Sequence, residues 1–291
     1  MSTNVPSITL NTGAAMPQIG LGVWQASPEE TVRAVRYALS EAGYRHIDTA
    51  KIYGNEEGVG QGIAESGVPR DEIFLTTKLW NADQGYDSTL RAFDASLERL
   101  GTDYVDLYLI HWPLPDVPGS MLETWRALET IAAEGRARAI GVCNQKPHHL
   151  QQILDRFEVV PAVNQIELHP HLPQYLTRAF DAAHGIATES WSPLGGTPRS
   201  GWGRKSRPNT LLTDPVIAQI AAAHGKSAAQ VLIRWHLENG LIVIPKSVHE
   251  ERIAENIDVF DFTLTGEEFE AIGALDTGER VGSDPDQPRN D

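Results

Sequence analysis

Short runs of β-forming apolar residues recur along the chain. Most gaps between them hold segments whose apolar residues fall three and four positions apart. The runs occupy residues 18–22, 46–48, 73–77, 105–110, 137–142, 162–167, 185–189 and 241–244. The clearest helical patterns cover residues 29–42, 88–100 and 121–133, each with one apolar stripe to bury. Some helix ends are marked as well. Ser27-Pro28 offers an N-cap followed by proline at the first helical position, and Thr265 with Glu268 makes a capping-box pattern near the C-terminus. Eight strands alternating with helices predict an α/β fold with a parallel sheet, and eight is the number that closes a (β/α)8 TIM barrel. Ahead of the first run, residues 8–13 read as an N-terminal β-hairpin with an Asn-Thr-Gly turn, suited to closing the bottom of the barrel. After the seventh run comes a long aperiodic stretch rich in Gly, Pro and Arg, residues 193–209. A loop this long in a compact domain usually serves function, and its place in the order puts it on the C-terminal rim.

The 291 residues carry no break in composition, so a single barrel domain over residues 1–291 is expected; such barrels commonly reach about 250 residues. No apolar run approaches the ~18 residues of a membrane span, and the polar start lacks the basic-then-apolar layout of a signal peptide. A cytoplasmic protein with no membrane partner is expected. Cys143 is the only cysteine, so no internal disulfide can form, which suits a reducing compartment. A net charge of −15 repels polyanions and argues against nucleic acid as a partner. An anionic ligand then needs a local cluster of cations. Nothing demands more than a monomer.

Three tempting motifs fail. Gly58-Val-Gly60-Gln-Gly62 imitates a dinucleotide fingerprint, but its last glycine is misplaced and it lies inside a helical stretch. Gly225-Lys226-Ser227 ends like a phosphate-binding loop, yet Ile220 stands where the first glycine belongs; a helix start explains it better. His169 and His171 with Glu167 could suggest a metal site, but no second His/Asp cluster at another strand end completes a ligand set.

In a (β/α)8 barrel the chemistry sits at the C-terminal ends of the strands. There the sequence places Asp48 and Tyr53 after the second strand, Lys78 after the third and His111 after the fourth. Each alone has an ordinary explanation: a capping Asp, a snorkelling Lys, a packed Tyr, a satisfied core His. Together, on consecutive strand ends, they read as a site.

These residues also carry a resemblance. Residues 20–25 (GLGVWQ), 46–56, Thr77-Lys78, His111-Trp112-Pro113, Ile140 to Asn144, Val163 to Glu167, Trp191 to Gly195, and Ile244 to Ser247 with Arg252, Glu255 and Asn256 look like the core motifs of aldo-keto reductases. The style is similar to bacterial diketogluconate-reductase-like members, and the match runs from about residue 7 to residue 277. The resemblance implies NADPH-dependent reduction of a small carbonyl compound by a tetrad of Asp48, Tyr53, Lys78 and His111. Tyr53 would protonate the nascent alkoxide. A phenol with a pKa near 10 is too weak an acid unaided, so Lys78 would lower it, Asp48 would hold Lys78 charged, and neutral His111 would orient the carbonyl.

The resemblance also implies the cofactor contacts. Asn144 and Gln165 would hold the nicotinamide carboxamide, Trp191 would stack on the ring, and Ser192, Leu194 and Gly195 would follow the pyrophosphate. Lys246, Ser247 and Arg252 would take the 2′-phosphate, with Glu255 and Asn256 near the adenine. Trp24, Trp80, His111 and Trp112 would wall the substrate pocket. The loop cations Arg199, Arg204, Lys205 and Arg207 could fold over the pyrophosphate. The short polar tail from Asp276 should leave the pocket open. Cys143, where the family usually has serine, suggests weaker nicotinamide positioning and sensitivity to oxidation, and Gln145 replaces a common phenylalanine. Two other readings stand beside the reductase: a non-catalytic NADPH-sensing subunit, and a metal-dependent hydrolase built on His169 and His171.

Overall fold

The computed structural model describes residues 5–114, 116–117, 120–196 and 209–287. The hairpin forms as read. β1 (Ser7–Thr9) pairs antiparallel with β2 (Ala15–Pro17), Ile8 opposite Met16. The parallel strands follow: β3 (Leu21–Gly22), β4 (His46–Asp48), β5 (Phe74–Leu79), β6 (Val105–Ile110), β7 (Ala137–Cys143), β8 (Val163–Glu167), β9 (Ala187–Trp191) and β10 (Ile242–Val243). Each of the eight pairs with its successor. The last meets the first: Ile19 bridges Val243 and Gly22 bridges Lys246, and the Gly20 amide donates to the Val243 carbonyl at 2.9 Å. The barrel is closed by these separate bridges instead of a continuous ladder. That is why β3 and β10 are shorter than the apolar runs that contain them.

Alternation divides each strand into an outward and an inward set. Ile47, Leu75, Tyr108 and Ile140 face out and pack beneath the helices. Leu107, Leu109, Ala139, Cys143, Val163 and Ile242 share a separate cluster with Leu10 and Met16. The hairpin therefore seals the barrel floor with its own apolar side chains.

The helices are α1 (Pro28–Ser40), α2 (Glu56–Ser66), α3 (Tyr86–Leu100), α4 (Ser120–Ala133), α5 (Pro147–Leu154), α6 (Tyr175–Ala183), α7 (Pro215–His224), α8 (Ala228–Glu238), α9 (Glu250–Ile257) and α10 (Gly266–Gly273). Ser27 caps α1 and Thr265 caps α10, each in a full capping box with a glutamate at the third helical position; such caps contribute about 1 kcal/mol. The glycine run of residues 58–62 lies within α2. A Cβ at Gly60 would stand 2.4 Å from the Leu100 carbonyl oxygen, and one at Gly62 2.8 Å from Val35 Cβ. These glycines let α2 press against α1 and α3. Ser227 caps α8, as the helix-start reading required. No helix among the described residues is long and apolar enough to cross a membrane.

One buried acid links the outer wall to stability. Asp181 on α6 accepts from Thr188 Oγ1 at 2.9 Å and from Asn164 Nδ2 at 3.2 Å, yet burial pushes its carboxyl up to about 7. The unfolded chain releases this proton near pH 3.8 and the folded chain only near 7. Asp181 therefore makes folding less favourable as pH rises through that window. Urea unfolding of Asp181→Asn should show a shallower loss of stability between pH 4 and 7 than the unsubstituted chain. Identical slopes would discount the buried-acid reading.

Candidate active site

Tyr53 sits on a single 3-10 turn, Lys51–Tyr53, directly after β4. Two buried side chains hold the segment that follows it. Asn55 donates to the Val23 carbonyl at 2.9 Å and accepts from the Thr49 hydroxyl at 2.9 Å. Glu56 accepts from Thr77 Oγ1 at 2.5 Å and Arg99 Nε at 2.8 Å. These bonds tie the turn to the segment just after β3, to β5 and to α3, so the phenol has a fixed address. Lys51, near the mouth, pairs with Asp83.

Lys78 points into the barrel and is fully buried. Its Nζ donates to Asp48 Oδ1 at 2.6 Å and to the Thr49 carbonyl at 2.8 Å. The same atom lies 5.2 Å from the centre of the Tyr53 ring. The rings of Tyr53 and His111 meet edge to face at 5.7 Å, and Trp80 meets His111 likewise at 5.3 Å. The four residues of the tetrad thus converge.

Burial works against the charge on Lys78, but the Asp48 carboxylate outweighs it and the ammonium is held more strongly protonated than usual. Burial likewise pushes the Asp48 carboxyl up, and Lys78 and Gln165 pull it back. For the Tyr53 phenol, burial wins over the nearby ammonium, leaving it at about 12. This corrects the sequence-based expectation of a phenol pKa lowered below its free value. Lys78 does lower it, but only from the higher level that burial sets.

Beneath the tetrad lies a polar layer the sequence did not disclose. Gln165 Nε2 donates to Asp48 Oδ2 and to Glu189 Oε2, both at 2.8 Å. Glu189 Oε1 is 3.6 Å from His46 Nε2. Burial, then the neighbouring Asp48 charge, raises the Glu189 carboxyl to about 8. Burial also lowers His46 to about 3, so its imidazole is neutral.

A cavity of about 620 Å³ opens above this floor. Its lining includes Asp48, Tyr53 and His111 with Trp24, Trp80 and Trp112, then Asn144, Gln165, Trp191, Ser192 and Leu194. Lys246, Ser247, Arg252, Glu255 and Asn256 line the same cavity. Arg252, Glu255 and Asn256 share one face of α9, being three and four positions apart. Burial lowers the Lys246 ammonium, and the Glu30 carboxylate partly offsets that; Arg252 forms no ion pair among the described residues. Non-glycine residues with positive φ are rare, yet Gln25, Asn144 and Ser192 have φ of 59°, 61° and 51° and all border this cavity. Such conformations cost about 1–3 kcal/mol each and gather at functional sites.

Three expectations need correction. Gly195 does not border the cavity; Gly196 does. Gly195 instead makes the turn at φ +87°, packed so that a Cβ would meet Asn209 Oδ1 at 2.8 Å. The tail does not leave the pocket open. Glu167 accepts from the Val281 amide at 2.6 Å and the Gly282 amide at 3.0 Å, which lays both residues along the cavity wall. A Cβ at Gly282 would fall 2.4 Å from the Trp191 ring, so glycine is required for that approach. Glu167 thereby spends its two oxygens on the tail, and the His169–Glu167 contact at 3.1 Å belongs to this anchor. Cys143 is fully buried, and burial raises its thiol well above the usual range, which opposes the expected sensitivity to oxidation. Iodoacetamide should leave Cys143 unmodified in the folded protein and label it after denaturation; rapid native labelling would contradict this. The loop cations at 199, 204, 205 and 207 lie outside the described residues.

Among the described residues, His148, His149 and Asp286 lie close enough to share an ion. His149 Nδ1 accepts the Lys146 backbone N–H at 3.2 Å, so neutral His149 carries its proton on Nε2, the atom facing Asp286 at 3.2 Å. With the Lys146 ammonium also on Asp286, the cluster is a clasp for the tail.

The aldo/keto reductase family profile fits residues 13–277. An aldo-keto reductase of Mycolicibacterium smegmatis is 57% identical over 280 residues, covering 96% of this chain and 97% of its own. The glyoxal reductase of Bacillus subtilis is 49% identical, covering 97% and 96%. The crystal structure of a Bombyx mori aldo-keto reductase in complex with NADP superposes with a TM-score of 0.89 at 40% identity, over 98% of both chains. With likeness of this degree along nearly the whole length, this chain belongs to the aldo/keto reductase family.

Proposed function

We propose that this chain, as one barrel domain over residues 1–291, reduces aldehydes and ketones with NADPH and uses Tyr53 as the general acid. The observation that carries the proposal is a phenol at the cavity floor with a buried, carboxylate-held ammonium 5.2 Å from its ring. NADPH, when bound, supplies the hydride to the carbonyl carbon. Negative charge then builds on the carbonyl oxygen, and Tyr53 gives it a proton. Lys78 stabilises the phenolate this leaves behind, Asp48 holds Lys78 in place and charged, and His111 hydrogen-bonds the carbonyl oxygen.

The residues present suit that cofactor. Trp191 offers a flat ring on the cavity wall, its indole N–H held by Asn144. Asn144 and Gln165 supply amides for the nicotinamide carboxamide, and the strained turn at Ser192 with Leu194 and Gly196 borders the pyrophosphate path. Lys246 and Arg252, both on the cavity wall, match a 2′-phosphate dianion, with Ser247 beside them and Glu255 and Asn256 toward the adenine. On a chain of net charge −15, two such cations are a selective device. Arg252→Ala should raise the KM for NADPH about 10- to 100-fold, the worth of a charged hydrogen bond, and change that for NADH little. Equal losses with both cofactors would count against a 2′-phosphate contact.

Small dicarbonyls, of the kind the Bacillus subtilis relative is named for, fit a pocket with tryptophan walls and few polar groups; aromatic aldehydes fit it too. The test is loss of NADPH absorbance with glyoxal, methylglyoxal and benzaldehyde. No oxidation with any carbonyl of a broad panel would end the proposal.

A further inference from the structure

We propose that Glu189 is a positioning residue that fixes the hydrogen-bonding sense of Gln165, so that the cavity presents a donor at Asn144 and an acceptor at Gln165, the complement of a primary carboxamide. This rests on the nicotinamide reading above and adds a residue to it.

The argument counts hydrogens. The indole N–H of Trp191 can only donate, and it donates to Asn144 Oδ1 at 2.9 Å. Asn144 Nδ2 donates in turn to the His111 carbonyl at 3.0 Å. Asn144 is therefore oriented with one N–H left for a ligand. Gln165 is oriented the opposite way. Asp48, ionised against Lys78, can only accept and takes one hydrogen of Nε2. Glu189 Oε2 takes the other. What Gln165 retains is its carbonyl oxygen, whose one other partner is the weak Cys143 thiol at 3.9 Å. Both residues border the cavity. A carboxamide brings one C=O and one NH2, so it can satisfy both at once.

Asp48 alone would leave Gln165 with a spare N–H to offer. The second acceptor removes that choice. Glu189 fills this role in either protonation state. Burial keeps its proton on up to about pH 8, and the protonated acid still accepts through Oε2 while Oε1 faces the neutral His46 ring at 3.6 Å. The charged groups that bear on it are Asp48 and Lys78, with the Cys143 thiol also in range.

The test compares dissociation constants, read by quenching of tryptophan fluorescence, for NADPH and for its analogue with a methyl ketone in place of the carboxamide. The unsubstituted protein should prefer NADPH by about tenfold or more, the worth of one lost hydrogen bond with its partner left unmet. Glu189→Met, of similar length but with no acceptor, should cut that preference to about twofold or less. Glu189→Gln keeps an acceptor and the volume, and should keep the preference. The proposal is overturned if Glu189→Met retains the full ratio, if Glu189→Gln loses it, or if the unsubstituted protein never had it. Should Glu189→Met fail to fold, the Glu189→Gln result decides. Failure of the reductase reading looks different: no carbonyl is reduced by the unsubstituted protein, whatever the cofactor ratios.

Discussion

Tyr53→Phe is expected to lower kcat for carbonyl reduction by about a hundredfold to a thousandfold, the usual effect of removing one donor aimed at a developing oxyanion. The ring itself stays. Its edge-to-face contact with His111 and the bonds through Asn55 and Glu56 that hold its turn need no hydroxyl. The dissociation constant for NADPH should therefore shift by less than the ~10-fold of one lost hydrogen bond, so the defect falls on kcat. A pH profile sharpens the test. With the phenol held at about 12 by burial, it is protonated throughout the neutral range, and Tyr53 should impose no alkaline loss of reduction rate below about pH 10. A substituted enzyme that turns over at the original rate would remove Tyr53 from the mechanism. A similar loss of cofactor affinity would recast it as a binding residue.

How much of this could be read in the chain differs by feature, for physical reasons. The barrel was legible because each strand is an apolar run and each helix an apolar stripe, and both patterns are local. The hairpin plug was legible because its turn residues announce it. The tetrad was legible because its members stand at strand ends in a recognisable order. Glu189 was not. Nothing local separates a buried carboxyl in Ala187–Trp191 from a solvated one, since its burial depends on Gln165 and Asp48 from other strands. The capture of the tail was hidden for a different reason. Glu167 binds backbone N–H groups of Val281 and Gly282, and every residue but proline has one, so composition carries no trace of it. The net pKa of Tyr53 was misjudged because the sequence displays the neighbouring lysine but not the depth of burial that opposes it.

The Asp48–Lys78 pair should separate stability from activity. Removing Asp48 alone leaves an ammonium buried at 0% side-chain exposure with only the uncharged Thr49 carbonyl and Tyr53 hydroxyl as oxygen partners. Breaking a buried pair in this way typically costs about 3–5 kcal/mol, so Asp48→Leu should lower the urea midpoint sharply. Lys78→Met should also be costly, because it strands the Asp48 carboxylate with Gln165 as its remaining hydrogen-bond donor. Replacing both partners is different: exchange of a buried ion pair for apolar side chains of similar volume is often neutral or stabilising by about 1–4 kcal/mol. Asp48→Leu/Lys78→Met should accordingly recover most of the stability that either single change loses. It should recover none of the turnover, since the phenol then has burial raising its pKa and no ammonium to oppose it. A double variant that regains both folding and reduction would mean that Tyr53 needs no charged neighbour. An Asp48→Leu protein as stable as the unsubstituted one would mean that Lys78 is not held charged in the barrel at all.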